Sequence, residues 1–198
     1  MEKEATKPKK KVLTEEEKAA RMEAARKYTD TLVDKAAAAE SEYAHFTQDQ
    51  VDKIVAAAAL AGSEAALMLA HEAVEETNRG VVEDKDTKNR FATENIYNAI
   101  KDEKTVGIIA EDKIKGEVQI AAPLGVLAGI VPTTNPTSTA MFKSLMALKT
   151  RNAIVFAFHP QAQKCSVHAA QIVYEAAVAA GAPKNICLLY TSPSPRDS

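Results

Sequence analysis

Through the first hundred positions apolar residues recur three and four apart, the spacing that lines one face of an α-helix; beyond Lys104 they alternate or run unbroken, as strands require. Thr14 with Glu17 three positions on forms a capping box, in which hydroxyl and carboxylate each take up a free backbone amide, so a long helix is expected to start there. Thr47 with Gln50 repeats the device. Phe46 and Val51 stand at the spacing of a hydrophobic staple around it, predicting a second helix to about Ala61. Gly62 is then expected to close that helix in the left-handed conformation, and Ser63 to cap a third that ends near Asn78 to Gly80. A fourth helix is expected from Thr87 to about Lys101.

From Val106 onward β-branched residues take over: Val106, Ile108, Ile109, Val118 and Ile120 flank Lys115-Gly116, which predicts a hairpin over 105–121. Leu124 to Val131 and Ala153 to Phe158 are continuous apolar runs, the signature of strands covered on both faces. The helical segment Thr137 to Lys149 between them supplies the crossover that parallel strands need. A last helix, about Gln161 to Ala180, carries Cys165, Ala169, Ile172, Val173, Ala176 and Ala180 on one face and stops at Gly181 ahead of Pro183. The expected fold class is α/β: a helical N-terminal region, a β-hairpin, then a parallel βαβ unit.

With 46% apolar side chains, the 198 residues can bury one sizeable core. A net charge of −2 gives no field to hold nucleic acid or an anionic membrane, so neither partner is expected. The longest run without polar side chains, Ile120 to Pro132, is broken by Pro123 and falls well short of the roughly 18 to 20 residues that cross a bilayer. Residues 1–13, with Lys3, Lys7, Lys9, Lys10 and Lys11, are expected to form a disordered basic tail, solubilising rather than nuclear-localising. Charged residues instead of an apolar signal core follow Met1, and the expected location is cytoplasmic. Two cysteines, Cys165 and Cys187, make neither a disulfide framework nor a four-ligand zinc site, and no metal site is expected.

The loop Pro132-Thr133-Thr134-Asn135-Pro136 falls where the first parallel strand ends and its crossover helix begins. Ligands of open α/β sheets bind beyond the carboxyl ends of strands, where free amides and the helix dipole favour phosphate or a developing oxyanion. Asn135 fits that role, and equally fits a simple helix cap before Pro136. No GxGxxG is present. His159 ends the second parallel strand on the same edge, as a ribose or phosphate contact or as an ordinary strand-end histidine. Cys165 and His168 form a C-x-x-H pair, but Cys165 falls on the apolar stripe, where thiols are inert. His71 with Glu72 and Glu75 echoes a helical metal motif without its second histidine, and His71 is expected to pack beside Leu67, Ala70 and Val74.

Gly129-Ile130-Val131-Pro132-Thr133-Thr134-Asn135-Pro136-Thr137-Ser138-Thr139-Ala140, then Phe142-Lys143-Ser144-Leu145 and Leu148-Lys149-Thr150-Arg151-Asn152-Ala153-Ile154, closely resemble the CoA-acylating aldehyde dehydrogenase half of bifunctional aldehyde/alcohol dehydrogenases. Upstream the resemblance takes in Phe46 to Lys53, Val82-Glu83-Asp84-Lys85 and Lys101 to Thr105; downstream it reaches Gly181-Ala182-Pro183-Lys184, for a coverage of about residues 40 to 186. It implies a partial Rossmann-like sheet of the aldehyde dehydrogenase fold over residues 14–186. It also implies a fermentative reaction in which a cysteine attacks acetaldehyde, hydride passes to NAD and CoA takes the acyl group.

By that resemblance Ile130, Val131, Pro132, Thr133, Thr134 and Asn135 line the nicotinamide cofactor, with His159 near its adenosine side. Thr134 stands where non-acylating relatives carry an oxyanion-binding asparagine, and Asn135 is the nearest amide. Phe158 replaces a frequent proline. The hairpin resembles the family's oligomerisation strands, implying a homo-oligomer or filament. Iron belongs only to an alcohol dehydrogenase domain absent from this sequence. The family's nucleophilic cysteine lies downstream of Gly181, neither Cys165 nor Cys187 matches it, and no catalytic residue is assigned beyond oxyanion support from Thr134 and Asn135. Residues 187–198, beginning Cys187-Leu188-Leu189-Tyr190-Thr191-Ser192, read as a translated sequencing-adapter tail (TGT CTC TTA TAC ACA TCT), and are expected to be disordered. The chain alone is therefore expected to be inactive, with a silent assembly module and a non-acylating aldehyde dehydrogenase as the alternative readings.

Overall fold

The computed structural model describes residues 14–190; the basic tail at 1–13 and residues 191–198 lie outside the described residues. Helix α1 (Glu15–Tyr43) starts on its capping box, Glu17 N donating to Thr14 Oγ1 at 3.1 Å and Thr14 N to Glu17 Oε2 at 2.9 Å. Helix α2 (Gln48–Glu64) starts in the same way on Thr47 and Gln50. It bends by 59° into α3 (Ala66–Thr77), which ends on left-handed Asn78. Then follow α4 (Val82–Arg90), a π-helical turn (Phe91–Asn95) and α5 (Ile96–Ile100).

Two helix boundaries differ from expectation. Gly62 closes nothing: it sits buried inside α2, where an added Cβ would lie 2.8 Å from Thr93 Cγ2 and 3.1 Å from Met141 Sδ. Its smallness serves a close helix crossing, and the neighbouring Ser63 hydroxyl donates to Glu94 instead of capping α3. The fourth helix starts at Val82, before Thr87, whose hydroxyl donates back to Glu83 O at 2.9 Å. Threonine can satisfy itself inside a helix this way, so it marks no start.

Strands β1 (Gly107–Asp112) and β2 (Glu117–Ala121) form the antiparallel hairpin. Strand β3 (Val126–Val131), helix α6 (Pro136–Lys149) and β4 (Ala153–Phe158) form the parallel βαβ unit, with Val131 opposite Phe158. After a 3-10 turn (Pro160–Ala162), α7 (Gln163–Ala179) leads to β5 (Cys187–Tyr190), parallel to β4, giving the order β3-β4-β5. The expected disordered tail from residue 187 is thus corrected over its first four positions. Cys187-Leu188-Leu189-Tyr190 is an apolar, strand-compatible tetrapeptide that meets the open edge of β4 at the end of a second helical crossover. Ile154 N donates to Ile186 O at 2.9 Å as it arrives.

Helices α6 and α7 cover one face of the sheet and α2 lies over both, while the C-terminal half of α1 crosses the opposite face. Tyr43, Ile54, Leu69, Met141, Leu145, Phe156 and Val173 fill the resulting layers. No single helix among the described residues is long and apolar enough to cross a membrane. Gly62→Val should lower stability by about 1–3 kcal/mol, because the branched side chain overpacks the α2 crossing. Urea unfolding followed by circular dichroism measures it, and an unchanged midpoint would show that the crossing has room to give.

Candidate functional site

Because β3 and β4 run parallel, both release the chain at the same edge of the sheet, and His159 N donates to Val131 O at 3.1 Å to join the two exits. The expected loop residues Pro132, Thr133, Thr134 and Asn135 stand on this edge at the head of α6. Ile130 is 64% exposed, whereas Val131 is 2% exposed: its side chain belongs to the core, leaving only backbone to face a ligand. Asn135 holds the N-cap position, its carbonyl accepting from Thr139 N at 3.1 Å, but its side chain makes no capping bond. Instead its amide lies 3.4 Å from Thr134 Oγ1. The backbone amides of Thr133, Thr134 and Asn135 find no hydrogen-bond partner among the described residues.

Two lysines hold the carbonyls on either side of these amides: Lys143 Nζ donates to Ile130 O at 2.6 Å, and Lys85 Nζ donates to Thr134 O at 2.7 Å. Burial, reinforced by the charge of Lys88, draws the Lys85 pKa below the ordinary lysine value. Next to Lys85 on α4, buried Asn89 ties the head of α6 to α3, accepting from Thr137 Oγ1 at 2.7 Å and donating to Ala66 O at 2.8 Å. On the far side of the loop an open apolar cleft of about 590 Å³ lies between the π-helical turn and α6, lined by Phe91, Ala92, Ile96, Thr139, Phe142 and Asn135. Sequence reasoning gave no role to Lys85, Asn89 or Lys143. Lys85 was visible only as part of the matching Val82-Glu83-Asp84-Lys85, since its partner lies far along the chain.

His159 is exposed on the same edge, and its Nδ1 accepts from Gln161 N at 3.1 Å, so one ring nitrogen caps the following turn and Nε2 is left for a ligand. Cys165 and His168 do not form a dyad. His168 Nδ1 pairs with Glu72 at 2.9 Å, while Cys165 is buried and its amide donates to Glu76 Oε2 at 2.7 Å. His71 stands beside Leu67 and Val74 as expected, but on the surface, where the three line an open cleft.

A strand-end crevice with free amides at a helix head is shared by many α/β proteins, so similarity has to decide among them. The model of the aldehyde dehydrogenase family matches residues 2–194. The chain belongs to the aldehyde dehydrogenase family. Among curated relatives of this family, the bifunctional aldehyde-alcohol dehydrogenase of Escherichia coli K12 is 56% identical over 165 residues, which are 83% of this chain and 18% of that protein. Among solved structures, an acetylating aldehyde dehydrogenase from Geobacillus thermoglucosidasius aligns with a TM-score of 0.83 at 48% identity, over 89% of this chain and 38% of that one. A propionaldehyde dehydrogenase from Rhodopseudomonas palustris, solved with bound CoA and an acylated cysteine, aligns at 0.70 and 29% identity over 85% of this chain and 38% of that one. The chain thus spans about a fifth of the curated relative and under two-fifths of the aldehyde dehydrogenases of known structure.

Aldehyde dehydrogenase chemistry of the acylating kind needs a thiolate, and neither thiol here is suited to supply one. Burial pushes Cys165 and Cys187 up from about 9 to about 12. A thiol whose folded pKa is raised keeps its full stabilising effect below the unfolded value and loses it as pH climbs through the folded one. Stability should therefore fall between pH 9 and pH 12, and iodoacetamide at pH 8 should modify both thiols only as the chain unfolds. Rapid labelling of the native chain at pH 8, read by mass spectrometry, would contradict the buried placement.

Proposed function

We propose that the chain carries part of the dinucleotide site of an NAD-dependent, CoA-acylating acetaldehyde dehydrogenase whose complete active centre needs more than these residues. One observation carries the reading: the unpartnered amides of Thr133, Thr134 and Asn135 lie at the common carboxyl end of β3 and β4, at the positive head of α6. Pyrophosphate and ribose groups suit such a place, and the exposed hydroxyl of Thr134 and free Nε2 of His159 add polar contacts. Ile130, Pro132 and Thr133 supply the flanking surface, and Val131 contributes backbone only. NAD, when bound, supplies the hydride acceptor. The Asn135 amide groups sit between that surface and the apolar cleft of Phe91 and Phe142, so an aldehyde in the cleft would set its oxygen beside them.

The names of the relatives support the acylating branch: one is called acetylating, and another was solved with CoA and an acylated cysteine. CoA is then the acyl acceptor, iron belongs to an alcohol dehydrogenase partner domain, and the setting is cytoplasmic fermentation. A second reading, a silent assembly module, draws on the hairpin, where Ile108, Ile109, Val118 and Ile120 are all exposed. In the complete protein the hairpin would serve homo-oligomer or filament contacts, so the two readings differ only in whether the crevice binds a dinucleotide.

NADH fluorescence should rise saturably on titration with the chain and be reversed by excess NAD. Asn135→Asp, which sets a carboxylate beside the phosphates, should weaken that binding by about tenfold or more. The same chain given acetaldehyde, CoA and NAD should form no NADH, since both of its thiols are buried. Self-association on sizing chromatography without NADH binding would favour the assembly reading. Measurable aldehyde turnover would overturn the division of the active centre.

A further inference from the structure

We propose that Lys85 is the positioning residue of the dinucleotide loop: its ammonium holds the Thr134 carbonyl on the inner side and thereby turns the Asn135 amide toward the crevice. The inference rests on the reading of that loop given above and adds a residue to it. Lys85 is only 5% exposed, yet it makes no ion pair with a carboxylate among the described residues. Buried ammonium groups are costly unless something specific receives them. Its location compounds the cost, because it lies in the first turns of α4, where the helix dipole opposes a cation, with Lys88 and Arg79 nearby. A side chain needed only for packing would be better as methionine or leucine.

What receives the charge is a single acceptor, Thr134 O at 2.7 Å. In a planar trans peptide the carbonyl and the following amide point in opposite directions, and no peptide among the described residues is cis. Fixing Thr134 O against Lys85 therefore sends the Asn135 N–H the other way, and there it meets no protein acceptor. Lys143 sets the Ile130 carbonyl at the other end of the same loop. The titratable groups around Lys85 are Lys88 on its own helix, Arg79 in the preceding loop and Cys165 on α7; the thiol stays protonated, being pushed up to about 12, and Glu76 beside it is occupied by the amides of Lys164 and Cys165.

Nuclear magnetic resonance of the labelled chain tests this directly. The Thr134 carbonyl carbon and the Asn135 amide nitrogen should shift with pH along the titration of Lys85 Nζ, and in Lys85→Met that common step should vanish. Flat Thr134 and Asn135 signals through the Lys85 titration would overturn the inference, whether or not the chain binds NADH. The wild-type titration alone decides it should Lys85→Met fail to fold. In the NADH titration Lys85→Met should weaken binding about tenfold, the scale of one charge-assisted hydrogen bond, and Lys85→Arg should recover most of the loss. Equal affinity in wild type and Lys85→Met would also overturn it. If the wild-type chain binds no dinucleotide while the Thr134 carbonyl still follows Lys85, the positioning role stands and the dinucleotide reading of the loop falls.

Discussion

The turn Lys149-Thr150-Arg151-Asn152, between the end of α6 and the start of β4, is the constraint on which the rest of the structure hangs. Lys149, 2% exposed, pairs with Asp52 on α2 at 2.6 Å and donates to Lys101 O at 3.0 Å, while its own carbonyl accepts from Thr105 at 2.6 Å. Arg151, in the left-handed region at φ 58, donates to Ala44 O at the end of α1 and to Ala121 O at the end of the hairpin. Asn152 Oδ1 receives the amides of Leu124 and Gly125, which lead into β3. Three residues thus collect the ends of α1, α2 and α5, the hairpin and the lead-in to β3 around one crossover. Buried ionic groups add little net stability, but losing one partner leaves a charge stranded, so such a junction tolerates few arrangements. Its effect is to fix the register of β3 on β4 at the end away from the crevice.

Register at one end sets geometry at the other. With Gly125 and Val131 presenting carbonyls to Ala153 and His159, the strands are paired without a break from Val126 to Val131, and the loop after Val131 leaves the sheet at a determined point. From there the head of α6 is held by a second polar cluster, Asn89 with Thr137, Ala66 and Thr93, reaching across α3, α4 and the π-helical turn. These supports place the head of α6, while Lys143 and Lys85 hold the carbonyls of the loop itself. Sites on rigid elements keep donors within the narrow tolerance that binding an anion requires.

Features carried by three or four adjacent residues were legible in the sequence. Both capping boxes, the hairpin, the crossover helix and the two parallel strands depend on local spacing or unbroken apolar runs, and they lie where those patterns put them. Gly62 was misread because its reason for being glycine is Thr93 and Met141, which no window around it contains. Thr87 resembled a cap because a hydroxyl that bonds back to its own helix leaves the same mark in sequence. The loop at residues 132–135 was legible as a place, from strand-then-helix order together with the family resemblance. Lys85 was not, since one lysine in a charged segment looks like solvated surface until its acceptor, Thr134, is brought against it.

The same distinction bears on what kind of chemistry this part of an aldehyde dehydrogenase can perform. Among the described residues near the crevice, Cys165 is buried and protonated, His168 faces Glu72, and Lys85 and Lys143 grip carbonyls, while Cys187 lies buried at the opposite end of the sheet, against Ile154. What remains for a ligand among the described residues is a set of donors: the amides of Thr133 to Asn135, the exposed hydroxyl of Thr134 and one nitrogen of His159. Donors without an attacking group can bind and orient an anion or a polarised carbonyl, but they cannot break or form a covalent bond. On the proposed function, binding and orientation fall to the segment built by β3, α6 and β4, and the covalent step to residues outside it.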